Sequence, residues 1–171
     1  MPQPSGRNTK AAQNRERRTW TAGAGGVTTI EKDGFGLWID DITYAFAEIS
    51  VTSLPILYIV LVTAGTEFFG AKSAATIGWL TMVVVAGTIR GGWVTPLATD
   101  VPGWVSITPS LVMLRLIYYN LVLAVVTYTG GMIGTTLALP LVSIAFAILV
   151  AGLATGIFPR IADKAYQVFS S

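Results

Sequence analysis

The 44 residues between Arg115 and Arg160 contain no charged side chain. As one helix they would rise about 66 Å, roughly twice the ~30 Å hydrocarbon core of a bilayer, so the run is read as two apolar spans joined by a turn. Two shorter runs sit upstream. Eighteen uncharged residues separate Glu48 from Glu67, and seventeen separate Lys72 from Arg90. Each rises about 26 to 27 Å as a helix, close to one hydrocarbon thickness. With 12% charged and 53% apolar residues and a mean hydropathy of +0.64, the chain has too little polar surface to cover a core of this size in water. The expected fold class is therefore all-α, an integral membrane four-helix bundle.

The expected spans are 48–67, 73–91, 110–128 and 135–158. The break between the last two is placed at the glycines of TYTGGMIGTT, which supply turn freedom, and Pro159 is expected to end span four. Residues 91 to 109, with three prolines, Trp93, Trp104 and Asp100, read as a loop along one interface. Ahead of span one, residues 27–47 read as an amphipathic interfacial lead-in anchored by Trp38. After span four, residues 159–171 place Ile161, Ala165, Val168 and Phe169 on one helical face, which predicts a short interfacial C-terminal helix.

The first 26 residues differ in kind. They hold Arg7, Lys10, Arg15, Arg17 and Arg18 against Glu16 and show no apolar period, so they are expected to be a disordered basic tail. No apolar run follows the Arg17–Arg18 pair, so a signal peptide is not expected. The tail's cations are candidates for binding a polyanion, either anionic lipid headgroups or nucleic acid, with Trp20 available for stacking. The alternative is a topogenic, solubilising tail with no partner. Four spans bring both termini to one side, together with Lys32, Arg90, Arg115, Arg160 and Lys164, and leave Lys72 on the other. The positive-inside rule then puts both termini in the cytoplasm or inside a particle that buds from it.

There is no cysteine and no histidine. Thiolate chemistry, His-ligated metals and Ser-His-Asp catalysis lose their usual side chains; no phosphate loop is present, and neither an enzyme nor a cofactor is expected. Glu48 and Glu67 bracket span one, and a proton relay would need a carboxylate nearer the midplane. Arg115 lies one to two turns inside span three at the level of Glu48, which predicts either an intramembrane ion pair or snorkelling. Asn120, the one amide deep in a span, reads as interhelical glue, and Pro55 predicts a kink in span one.

Small residues mark close-packing faces. Gly87 and Gly91, Gly130 and Gly134, and Gly152 and Gly156 each have GxxxG spacing, and Ser143, Ala147, Ala151 and Thr155 recur every four residues. Such flat faces let helices approach closely in lipid, within one chain or between copies. These features predict a non-enzymatic structural or scaffold protein, packing in multiple copies or against larger subunits. The alternatives are a pore-forming, holin-like or small ion-conducting oligomer, and an accessory subunit of a large membrane complex. A pore needs a polar stripe in each lining helix, and only the Thr and Ser of span one come close.

The basic N-terminus ahead of four short spans, the lack of His and Cys, and the bias to Val, Ala, Gly and Thr resemble the internal membrane proteins of membrane-containing archaeal viruses, the pleomorphic and internal-membrane icosahedral kinds. The resemblance covers the architecture of the whole chain and transfers no residue. It implies a structural role in a virion membrane, facing the genome.

Overall fold

The computed structural model describes residues 19–21, 29–65, 70–99 and 109–169. A small antiparallel hairpin, β1 (Thr19–Thr21) with β2 (Thr29–Glu31), pairs Trp20 with Ile30. Its first strand lies in the tail expected to be disordered and its second in the expected interfacial lead-in. Four long helices follow: α1 (Gly34–Thr63), α2 (Ala71–Arg90), α3 (Pro109–Leu137) and α4 (Pro140–Phe169). All four are long and apolar enough to cross a membrane.

The helix ends show where sequence signals acted and where they were overridden. Asp33 caps α1, accepting from the Gly36 N–H at 2.7 Å, and from there the helix runs unbroken for 30 residues. The interfacial lead-in and span one are thus a single helix, which stops at Thr63 rather than near Glu67. At the end of α2, Gly92 has φ 70° and donates to Ile89 O, while Trp93 donates to Thr88 O. This is the paired bonding of a Schellman turn.

The expected break at Gly130–Gly134 is absent. Helix α3 continues through those glycines, and the reversal comes at Ala138, with φ 51°, just before Pro140 opens α4. Proline suits a first helical position because the missing N–H would be unbonded there anyway. Nor does Pro159 end α4, which carries on to Phe169 and absorbs the segment expected to be a separate terminal helix. The carbonyl of Gly156, three residues before that proline, accepts the Leu97 N–H at 2.9 Å. That bond from outside the helix braces the turn that the proline ring crowds, as neighbouring segments do for internal prolines in apolar helices.

Helices α2 and α3 pack against each other and against both α1 and α4, which makes the bundle a diamond with α2 and α3 on its short diagonal. The core contains Ile49, Met82, Tyr119, Leu123, Val126 and Phe158, all at most 1% exposed. Tyr119 and Phe158 have ring centroids 5.1 Å apart. The outer surface is the reverse of a soluble protein's. Leu141 is 79% exposed, Met132 69% and Leu61 66%, whereas Asp41, Ser53 and Thr127 are fully buried.

Candidate functional site

The polar groups inside the bundle form a seam along α1 and α3, which run side by side in the same direction. Its lowest member is the pair anticipated from matching depth: Arg115 Nε lies 3.0 Å from Glu48 Oε1, with side chains only 8% and 19% exposed. The 29-residue α3 carries Arg115 to that level, and the continuous α1 brings Glu48 opposite it. In a poor dielectric such a pair holds two helices in register, because either charge alone would be costly to leave buried.

One turn further along α3 stands Tyr119, fully buried, and beside it Asn120. The Asn120 amide reaches across to α1, where Oδ1 accepts the Ile56 N–H at 2.9 Å and Nδ2 donates to Thr52 O at 2.7 Å. Thr52 and Ile56 are the acceptor and donor of one helical hydrogen bond, and Pro55 sits between them. A proline ring crowds the preceding turn and opens it. Asn120 occupies that opening and bonds both freed groups. Its Nδ2 also donates to Leu116 O in its own helix at 2.6 Å. The predicted kink and the predicted amide glue are therefore one device.

Helix α4 joins α3 by similar means. Ser143 Oγ donates to Gly130 O at 2.7 Å and Tyr118 OH donates to Ala154 O at 2.8 Å. Ser143, Ala147, Ala151 and Thr155 are all buried, so this small-residue face is used within the chain. The glycine pairs divide. A Cβ on Gly87 would meet the Ile42 backbone of α1 at 3.0 Å, one on Gly130 would meet Ala74 Cβ at 3.2 Å, and one on Gly156 would meet Leu97 at 2.9 Å. Gly152 has only an ordinary contact, 3.8 Å to Thr81, and Gly134 is half-buried.

At the end where the chain enters α1, a second knot was not foreseen. Trp93 Nε1 donates to Asp41 Oδ2 at 3.1 Å, over Gly91, where a Cβ would stand 2.1 Å from that carboxylate oxygen. Arg90 lies 4.4 Å above the Tyr44 ring, and Lys32 pairs with Asp40. The Gly-Gly-Trp sequence after a basic helix end was the available signal, and it reads equally well as a bare interfacial turn. Among the described residues, the opposite end of the bundle carries Lys72 as its one charge. No group of three or more Asp or Glu among the described residues could hold a metal ion. Arg7, Lys10, Arg15, Arg17, Arg18 and Glu67 lie outside the described residues.

A family model described as a domain of unknown function (DUF8215) matches residues 32–165, a span that takes in all four helices except the last turn of α4. No curated protein and no solved structure matches the chain.

Proposed function

This chain belongs to the DUF8215 family, and we propose that it is a non-enzymatic integral membrane protein with a structural role. The observation that carries the reading is the inverted distribution of its side chains. Large apolar groups cover the outer faces of four span-length helices, while an ion pair, an amide and several hydroxyls lie inside. Water would penalise that outer surface, and lipid would not.

The structural role follows from what the interior polar groups bond to. Arg115 faces Glu48, Asn120 bonds Thr52 and Ile56, Ser143 bonds Gly130, and Tyr118 bonds Ala154. These groups tie helix to helix, whereas a conducting pore turns such groups toward its lumen. With the Ser143, Ala147, Ala151 and Thr155 face closed internally, the bundle meets lipid, further copies or larger subunits largely through bulky apolar side chains. A virion membrane is the setting that the architectural resemblance implies.

Native mass measurement of the protein released in lipid discs tests the role: several copies or an extended lattice are expected, and proteoliposomes should hold an ion gradient. A ring of copies that dissipates the gradient would overturn the structural reading in favour of a pore.

In this reading both termini face the cytoplasm or the particle interior, because the described cations other than Lys72 lie toward the end where α1 starts and α4 finishes. The chain lacks cysteine, so single cysteines at Ser5, Ser73 and Ser171 report topology cleanly. An impermeant thiol reagent applied outside should label only the Ser73 site; labelling at either of the others reverses the orientation.

The basic arm is proposed to contact anionic lipid or nucleic acid. Binding should weaken steeply with salt as counterions are released, and replacing Arg15, Arg17 and Arg18 by Gln should lower the slope on duplex DNA by roughly three units. A comparison with phosphatidylglycerol vesicles at one ionic strength separates the two polyanions. A salt-independent affinity would leave the arm a topogenic signal.

A further inference from the structure

Two prolines lie inside helices, Pro55 in α1 and Pro159 in α4, and beside each a backbone group is bonded from outside its helix. At Pro159 the outside donor is itself backbone, the Leu97 N–H, fixed by the course of the chain. At Pro55 it is a side chain with rotatable bonds. We propose that Asn120 is a releasable latch on a hinge at Pro55, and that α1 beyond the proline moves between a latched and an unlatched position against α3.

The hydrogen-bond exchange makes both positions accessible. When Asn120 withdraws, Ile56 N–H can close onto Thr52 O within α1, and Nδ2 retains Leu116 O, to which it is already bonded at 2.6 Å. Only the Asn120 Oδ1 acceptor loses its partner. The exchange strands no further backbone group in an apolar medium, the condition that makes most such rearrangements prohibitive.

Two further observations place the hinge. Seven residues before Pro55, the Glu48–Arg115 pair fixes α1 to α3 and serves as the pivot. Two turns beyond Asn120 on the same face of α3, Thr127 Oγ1 is fully buried without a hydrogen-bond partner, and so is Ser53 Oγ, two residues before Pro55 on α1. An unbonded buried hydroxyl destabilises the state that contains it. The latched position carries two such groups, one beside the proline and one on α3, which narrows its advantage over an arrangement in which they are bonded.

Nitroxide labels on cysteines at Leu61 and Tyr128, both exposed and on α1 and α3 respectively, measure the gap by pulsed electron resonance in an otherwise cysteine-free chain. Recording in detergent and in bilayers keeps the test separate from what the protein builds. Two distance populations are expected for the native sequence. Asn120→Ala should shift their ratio by about tenfold or more toward the unlatched one, as loss of two hydrogen bonds implies. Pro55→Ala should give one population that Asn120→Ala no longer alters. If Asn120→Ala fails to fold, the native distribution decides alone. A single narrow population in the native protein, unmoved between short-chain and long-chain lipids, overturns the hinge.

Discussion

Replacing Arg115 by alanine is expected to destabilise the bundle by about 3–5 kcal/mol, the usual result of removing one partner from a buried ion pair. The loss comes chiefly from what is left behind. Glu48 is 19% exposed and would be left among apolar groups without the guanidinium that faces it. Adding Glu48→Ala to Arg115→Ala should therefore restore part of the loss, so that the double variant is more stable than the single one. Unfolding in mixed micelles by a graded denaturing detergent would measure the cycle. Strict additivity of the two single effects would mean that Arg115 is solvated independently of Glu48. The same pair is the proposed pivot of the α1 hinge, so its loss should also broaden the Leu61–Tyr128 distance distribution.

Why Glu48 and Arg115 were legible in the sequence while other contacts were not has a physical basis. Charges are excluded from hydrocarbon unless paired, so their positions alone mark the spans, and two opposite charges at equal depth on parallel helices have few other partners. Asn120 carried no such constraint. Its partners are backbone groups 64 and 68 residues away, and any open turn facing it would have served. Pro55 announced an opening without saying what fills it. Asp41 was similarly opaque, since its burial depends on Trp93 folding back over Gly91, a loop conformation with no periodic signature.

The misplaced boundaries have a common cause. Gly130, Gly131 and Pro159 were read with rules that hold in water, where glycine loosens a helix and proline stops it. In this bundle Gly130 and Gly131 are contact surfaces for Ala74 and Ala71, and the turn of α4 around Pro159 is bonded by the loop after α2. Helix–helix contact supplies what local propensity lacks, and it is not visible in a window of neighbouring residues.

The glycines yield the second large effect. Helix α2 touches every other helix, and close backbone approaches hold both of its ends. A Cβ on Gly87 would lie 3.0 Å from Ile42 Cα in α1, and one on Gly131 of α3 would lie 2.9 Å from Ala71 Cα and N at the start of α2. Ile42 Cδ1 is nearer still to the Gly87 position, at 2.6 Å, but main-chain atoms stand behind it at both sites and cannot turn aside as a side-chain end can, so each substitution must push two helices apart. Gly87→Val and Gly131→Val are each expected to cost about 3 kcal/mol, the upper part of the range for overpacking a filled core. Their effects should add, since Ala71 and Gly87 are about 24 Å apart along α2 and share no partner. Gly152→Ala is the control: it has the same motif spacing, but its nearest neighbour is a methyl group at 3.8 Å, and its effect should stay within about 0.5 kcal/mol. Equal losses at Gly152 and Gly87 would show that GxxxG spacing itself sets the stability here. The expected inequality instead assigns it to the two places where backbone meets backbone, α2 against α1 at Gly87 and α3 against α2 at Gly131.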